Sequence, residues 1–307
     1  MNIIKKTILF FIPIRFIFNN HNPVLVYHSL GSKSDFQDNI DHVNLKTLEK
    51  QLKFVQKYCE FVPIDELTNS KNKRGLASIT IDDGYKNVID ESMEIFENLK
   101  IPITIFINSG NFKGKVFWRD KVRYLIQNNM VRKFIDNSKL FNDDHFDNFY
   151  NVSKNQLFNS IKVEKEIDNF FLKENINISI KDKFCFDNEK YLIKHSLISY
   201  GNHTSNHYLL SSLNKEEQYK EIFECKNYLD RFNINKSNIF CVPFGGADSY
   251  NEDTLSILKQ LNYKTFLLTE NRFNKFYKND KIYRLMPNNS KIDNFFKKHY
   301  LRQMIGK

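Results

Sequence analysis

No internal repeat and no low-complexity tract interrupts the 307 residues, which removes solenoids, collagen-like chains and other repetitive classes. Blocks of like charge are missing too, since basic residues are scattered among acidic ones. Cysteine is scarce. Cys59, Cys185, Cys225 and Cys241 lie far apart and form no C-x-x-C pair, so neither a zinc ribbon nor a dithiol redox centre is indicated. They read as small buried hydrophobes, and reduced thiols in a cytosol-facing protein are the simpler account, because a chain of this size does not depend on a disulfide framework.

The N-terminus lacks the roughly 20 apolar residues that a spanning helix needs. It reads MNIIKKTILFFIPIRFIFNN, where Pro13 and Arg15 break the apolar stretch after Lys5 and Lys6, and no A-x-A-like cleavage site follows. Two readings of residues 1–22 remain: a short helix packed on the domain, slightly favoured, and an amphipathic piece lying on a membrane surface with its cations toward lipid phosphates. The expected location is therefore cytoplasmic or peripheral to a membrane, with export through an atypical signal as the alternative.

What is present is ample material for a core: 41% hydrophobic and 15% aromatic residues, with 27% charged. A disordered or fibrous class is excluded on those figures. Lys+Arg exceed Asp+Glu by 46 to 36, a net +10. Such a balance raises nucleic acid, anionic lipid or an acidic polymer as partners. Here it accompanies heavy use of Asn, Lys, Ile and Phe and almost no Ala, so it reads as compositional drift as much as a purposeful patch. No nucleic-acid reading motif or basic stripe accompanies it, and no nucleic-acid partner is expected; a negatively charged glycan or lipid carrier suits the charge better.

From Pro23 onward short apolar runs alternate with longer amphipathic ones. Strands are expected at Val24 to His28, Ala77 to Asp82, Ile103 to Ile107, Leu197 to Tyr200, Asn238 to Val242, Lys264 to Leu268 and Ile282 to Leu285. Leu45, Leu48, Leu52 and Val55 keep one helical face apolar, as do Val88, Met93, Phe96 and Leu99 and, later, Tyr219, Ile222, Phe223 and Leu229. Alternating strands and helices imply parallel strands joined by crossovers, in a closed barrel or an open doubly wound sheet, and the pattern alone does not choose. Between Trp118 and His195 the rhythm breaks. That polar stretch is too long for a connecting loop and reads as an inserted helical subdomain or lid, with a loosely ordered surface excursion as the alternative.

Two constellations carry chemistry. Thr80-Ile81-Asp82-Asp83-Gly84-Tyr85 stands where a strand gives way to a helix. Asp-Gly is a common turn and Asp a common cap, but neither explains the second carboxylate. Adjacent carboxylates at a strand end point in different directions, so one can bind a cation while its neighbour serves as a base. His203-Thr204-Ser205-Asn206-His207 follows another strand end, and two imidazoles four apart would share one face of a helical turn, close enough to share a metal ion. Two His and one carboxylate leave positions open for water and substrate, which is the donor set of a hydrolytic metal site.

TIDDGY and HTSNH resemble the first two motifs of the polysaccharide deacetylase family, the NodB-homology group of carbohydrate esterases. Phe54 within LEKQLKFV, the run Pro102 to Ile107, Leu210-Ser211-Ser212 and the third motif Val242-Pro243-Phe244-Gly245 agree in order and spacing, so the resemblance covers roughly Pro23 to Leu285 apart from the insertion. It implies an α/β fold, a distorted (β/α)7 TIM-like barrel over residues 23–307 with a helical insertion at about 119–195. It also implies a hydrolase that removes N-acetyl groups from an amino sugar in a polysaccharide or glycan intermediate, a linear-amide hydrolase. Its cofactor would be a divalent metal, commonly zinc with other ions compatible, held by Asp83, His203 and His207. Asp82 would be the general base, and the backbone N–H near Phe244 would help stabilise the oxyanion. O-deacetylation by the same site and a catalytically silent glycan-binding barrel are the alternative functions.

Departures from the family pattern fall on the acid and on the residue that orients the base. The last strand, Tyr283-Arg284-Leu285-Met286-Pro287, lacks the Leu-x-His that often supplies the acid, and His299 lies in what reads as a polar tail. His28, ending Val24-Leu25-Val26-Tyr27-His28, resembles the circularly permuted branch acting on poly-N-acetylglucosamine, and is the expected acid; a structural role at a strand end is its alternative. Cys241-Val242-Pro243-Phe244 stands where relatives have Arg-x-Pro-Tyr, so Arg284, ahead of Arg119, is expected to orient Asp82. Trp118, the single Trp, is expected either to stack on a sugar face or to be core at the root of the insertion. The N-acetylated glycan is thus the expected partner.

Overall fold

The computed structural model describes residues 12–32, 42–70, 73–177, 184–274 and 280–306. Seven parallel strands pair in chain order: β1 Val24–Tyr27, β2 Leu76–Ile81, β3 Ile103–Ile107, β4 Ile198–Asn202, β5 Lys236–Cys241, β6 Phe266–Leu268 and β7 Lys281–Tyr283. The ring is nearly closed, because the chain past β7 bridges back to β1: Val26 N–H donates to Leu285 O at 2.9 Å and Leu285 N–H to Val24 O at 2.8 Å. The fold is therefore a (β/α)7 barrel, and the open-sheet alternative is gone. Its distortion is local. Tyr200 pairs with Lys236 but Asn202 with Phe240, so β5 bulges against β4.

The strands form where apolar and β-branched residues run without interruption. All six residues of Leu-Ala-Ser-Ile-Thr-Ile in β2 and all five of β3 are buried, as expected when a parallel strand is covered on both faces. The outer helices follow the 3.6-residue pattern. Leu45–Gln56 buries Leu48, Leu52 and Val55 and is capped by Asn44, whose side chain accepts from Thr47 N–H. Lys215–Asp230 starts with a capping box in which Asn214 and Glu217 satisfy each other's backbone N–H.

The stretch between β3 and β4 carries helices Trp118–Gln127, Val131–Asn137, Phe149–Val152 and Ser160–Lys173, and no barrel strand among its described residues. Phe134 packs edge-on against Phe149 and Phe170 at 5.5 Å and tilted against Phe141 at 5.9 Å between centroids. These rings supply enough apolar surface to order the insertion as a packed subdomain rather than a loose excursion. Buried Lys121 ties its helices together by reaching Glu164 at 2.7 Å and Asp168 at 2.6 Å. Asn159 and Ser160 fasten it to the barrel through Glu217 and Ser212.

At the N-terminus, Ile14–Asn20 is helical and buries Ile17 and Phe18. Phe18 stacks on Tyr58 at 5.1 Å and meets Phe296 of the last helix edge-on at 5.0 Å. Lys5 and Lys6 lie outside the described residues. No helix among those described is long and apolar enough to cross a membrane. The supposed polar tail is a packed helix, Ile292–Met304, in which His299 is buried against Phe295. Its lysines and arginine had hidden an apolar face built from Ile292, Phe295 and Phe296.

Candidate active site and metal centre

The site sits where the C-terminal ends of β1, β2, β4 and β5 converge, the position at which barrels present their chemistry. Asp82 and Asp83 follow β2 directly, and the turn between them requires φ of +67° at Asp83. That left-handed residue sends the two carboxylates apart. Asp82, buried, receives Arg284 Nη1–H and Nη2–H on its two oxygens at 2.7 Å each. The same guanidinium donates to Thr269 Oγ1 at 2.7 Å and Thr80 Oγ1 at 3.2 Å, and the Cys241 thiol lies 3.5 Å from both Asp82 oxygens. Burial alone would raise the Asp82 pKa, but the charges of Arg284 and His203 outweigh it and hold the carboxyl below its usual range.

Asp83 faces two imidazoles. Its Oδ1 is 3.3 Å from His207 Nε2 and 3.5 Å from His203 Nε2, and that oxygen is buried with no hydrogen-bond partner among the described residues. His203 Nδ1 lies 2.9 Å from Cys241 O, so the ring donates there, and its Nε2 faces Asp83. Against the effect of burial, the Cys241, Asp82 and Asp83 groups around the ring hold its pKa well above the usual value, so this pocket favours positive charge at Nε2, which a cation would supply in place of the proton. Burial works against ionising Asp83, yet His207 and His203 keep its pKa far below normal; burial in turn drives His207 down to about 3, favouring the neutral ring that ligates metals. One atom from each of Asp83, His203 and His207 lies within 4.8 Å of the others. A buried carboxylate oxygen facing two imidazole Nε2 atoms, in a pocket that favours positive charge between them, fits a divalent cation. Asp82, His203 and Cys241 also cluster, but Arg284 already neutralises Asp82.

The HTSNH segment is a loop, not the helical turn expected from its spacing. Thr204 and His207 have φ of +68° and +58°. Side chains replace helical carbonyls as partners: Asn202 Oδ1 accepts from Thr204 N–H at 2.8 Å, Thr204 Oγ1 from His207 N–H at 3.0 Å, and Glu221 from Asn206 N–H at 2.7 Å. Gly110 N–H donates to Ser205 O at 2.7 Å, and a Cβ at Gly110 would stand 2.8 Å from that oxygen, so only glycine permits the approach. The rings still meet, with His203 and His207 centroids 4.7 Å apart.

His28 follows β1 and lines the same pocket. Asp82 N–H donates to Tyr27 O at 2.9 Å, which seats the His28 backbone beside the Asp pair, and His28 Nδ1 is buried with no hydrogen-bond partner. Phe244, at φ +64°, packs on His207 at 4.6 Å between ring centroids, and its backbone N–H bonds to no described group. The next residue, Gly245, lets the chain pass Thr269, whose N–H would be 2.6 Å from a Cβ there. Trp118 is only 1% exposed and does not line the pocket; its indole donates to His207 O at 3.0 Å, so of its two expected roles the sugar-stacking one is displaced by the core one. Arg119 does not reach Asp82. Its bonds go to Ser153 Oγ and Tyr150 O at 3.0 Å, because the helix it starts carries it to the insertion side.

Reasoning from sequence missed Thr80, Thr269 and the Cys241 thiol around Asp82, and it missed Arg123, Tyr150 and Lys154, which line the pocket from the insertion. Thr80 opens the first motif and Thr269 directly follows a barrel strand, so both could have been suspected. Nothing in the insertion's sequence marks Tyr150 or Lys154.

A model of the family described as polysaccharide deacetylase matches residues 146–266, which take in the HTSNH and Val-Pro-Phe-Gly loops though less than half of the chain. The match and the barrel make the chain similar to the polysaccharide deacetylases. Among solved structures, the chain is similar to a Streptococcus pyogenes deacetylase, PplD, in complex with acetate, at 18% identity over 92% of this chain and 98% of that one, with a TM-score of 0.53. IcaB from Ammonifex degensii is 14% identical over 92% and 97% of the two chains, TM-score 0.55. A de-N-acetylase from Aggregatibacter actinomycetemcomitans is 14% identical over 90% and 99%, TM-score 0.57. At such identities these likenesses speak for the fold. No curated protein matches the sequence.

Proposed function

We propose that the protein is a metal-dependent deacetylase that removes the N-acetyl group from an amino sugar in a glycan. The observation that carries this reading is the lone Asp83 Oδ1, buried between two imidazole nitrogens and set one residue from a second carboxylate that is held for different work. Asp83, His203 and His207 would hold the ion; zinc suits the donor set of two nitrogens and one oxygen. When bound, such an ion acidifies water and polarises a carbonyl.

The chain's own residues do the rest. Asp82, fixed by two bonds from Arg284 and ionised well below neutrality, accepts the proton of the attacking water as general base. His28, which lines the same pocket, would deliver a proton to the departing amine. The unpartnered Phe244 N–H, turned by its positive φ, is available to the carbonyl oxygen as negative charge develops there. Phe117 and Phe244 wall the pocket and limit water around the acyl group.

Metal content and acetate release from N-acetylglucosamine oligomers, compared for the wild type and Asp82→Asn, test the assignment. Acetate release that depends on a bound divalent ion and collapses in the variant is expected. Release from O-acetylated but not N-acetylated sugars would move the reading to esterase chemistry, and a metal-free protein inert toward every amino sugar would end it. Near-normal activity in His28→Ala would remove His28 from the role of acid.

A further inference from the structure

Four residues lining the catalytic pocket, Arg119, Arg123, Tyr150 and Lys154, come from the insertion, and three of them are basic. Arg123 is matched by Asp120 at 2.6 Å, as Asp82 is by Arg284. Arg119 is different. Its guanidinium is 1% exposed, donates to Ser153 Oγ and Tyr150 O, and lies between the Trp118 and Tyr150 rings at 4.7 and 4.6 Å. It forms no ion pair among the described residues, where the Asp120 charge acts on it only from a distance, and leaves Nε without a hydrogen-bond partner among them. A buried cation without a direct ion pair is costly unless an anion completes it. The Lys154 ammonium stands over the same Tyr150 ring at 4.7 Å and over Phe244 at 5.6 Å. Lys154 and Phe244 also line a second groove with Asn151, Gln156, Gly246 and Ser249, so they mark the junction between the pocket and the path of whatever the sugar is attached to.

The field at this junction is positive. Burial would raise the Tyr150 phenol pKa, yet the charges of Arg119, Arg123 and Lys154 pull it below its usual value. Arg119 itself is lowered to about 10, chiefly by burial, and stays charged at neutral pH.

Resting on the deacetylase reading, we propose that Arg119 and Lys154 form an oxyanion subsite beside the Asp83, His203 and His207 triad, so that the preferred substrate is an N-acetylated amino sugar bearing a phosphate or carboxylate where it meets the second groove. Arg119 supplies a fixed field and Lys154 the direct contact at the mouth. The specificity of the site is then written in the insertion and its chemistry in the barrel.

Calorimetric titration of the full-length protein, stripped with a chelator so that no ligand is held by a metal, tests the subsite with three probes. These are N-acetylglucosamine 1-phosphate, a disaccharide of N-acetylglucosamine and glucuronic acid, and neutral di-N-acetylchitobiose. At low salt at least one anionic probe is expected to bind about tenfold more tightly than the neutral one, and the preferred arm identifies the oxyanion. That preference should shrink at high salt, fall to near unity in Lys154→Gln and invert in Lys154→Glu, with circular dichroism checking that both variants are folded. Arg119→Gln should also lose it, and circular dichroism checks that this buried variant is folded. Equal binding of all three probes, binding of none, or a preference untouched by Lys154→Glu overturns the proposal. Acetate release from neutral oligomers without anion preference leaves the deacetylase standing and removes only the subsite. Anion-selective binding with no release from any sugar does the reverse.

Discussion

The barrel and its insertion handle charge in opposite ways. At the strand ends each carboxylate has a dedicated counterpart, Arg284 for Asp82 and the two imidazoles for Asp83. In the insertion, Asp120 and Arg123 pair off, but Arg119 is buried against neutral oxygens and rings. Balanced charges hold a reaction geometry fixed, whereas an unbalanced one waits for something the protein does not contain. On the proposed function, reaction chemistry belongs to one region and substrate choice to the other, and substitutions in each region can break that division.

The largest effect is expected at Asp82. Asp82→Asn keeps the side chain's size but removes the proposed base and one of the two acceptors for Arg284, and should lower kcat by roughly 10²- to 10⁴-fold while the metal content stays at the wild-type level. Loss of metal in parallel would mean that Asp82 belongs to the ion's donor set, and the division of labour between the paired carboxylates would fail.

Arg284→Leu comes next. It leaves the buried Asp82 carboxylate without its counter-charge, a change expected to destabilise the fold by about 3–5 kcal/mol in urea denaturation. Adding Asp82→Asn should recover most of that loss, since the penalty belongs to the unpaired charge and not to the missing side chain. If the double variant is as unstable as the single one, Arg284 acts mainly through packing. For the insertion the matching test is Phe134→Ala, which opens a cavity among Phe141, Phe149 and Phe170 and should cost about 3 kcal/mol. Because the apolar core runs unbroken from barrel to insertion, tryptophan fluorescence and circular dichroism should still report one shared unfolding transition.

The two regions also differ in how far they could be read in advance. β3 falls on Ile103–Ile107 as the apolar run predicted, and the other six strands lie within two residues of the expected ends, because a parallel strand buried on both faces leaves a plain apolar signature. The Asp pair and the His pair were legible for a related reason: each stands directly after such a strand. Their local geometry was not. Spacing suggested a helical turn for His203 and His207, while side-chain hydrogen bonds from Asn202, Thr204 and Glu221 build a loop with two left-handed residues instead. Which strand end supplies a partner to Asp82 depends on ring closure, which no local pattern encodes, although Arg284 at the end of the last strand was the favoured guess. The insertion gave least. Arg119 was assigned to Asp82 as an alternative and lies on another wall, and Tyr150 and Lys154 carry no motif, since their importance comes only from how four helices fold over the pocket.

Glu221, in the helix Lys215–Asp230 and bonded to the HTSNH loop, gives a smaller, pH-dependent contrast within the barrel. Burial raises its pKa to about 7 from 4.5, against the opposing effect of hydrogen bonds from Asn206. The folded state therefore keeps a proton that the unfolded chain releases. Its contribution to stability is complete below 4.5 and is lost as pH rises toward about 7, at up to about 1.4 kcal/mol per pH unit. Glu221→Gln should flatten that part of the urea-midpoint profile relative to wild type, and parallel profiles would show that the carboxyl ionises freely in the fold.

Trp118 joins the two regions and sets the smallest expected effect. Its helix opens the insertion, its ring contacts Tyr208 and Phe244 of the barrel, and its indole N–H donates to the carbonyl of His207 at 3.0 Å. Trp118→Phe keeps most of the apolar surface and deletes that one hydrogen bond, so the stability loss should be about 1 kcal/mol. The informative readout is metal affinity. If the bond serves to hold the left-handed His207 in register, affinity falls roughly 10- to 100-fold, as for other partners that orient a ligand from behind, while binding of the anionic sugar probes changes less. A reversed pattern, with the ion held as before and anionic sugar lost, would place Trp118 functionally with Arg119 in the insertion and move the boundary between chemistry and selectivity one residue inward.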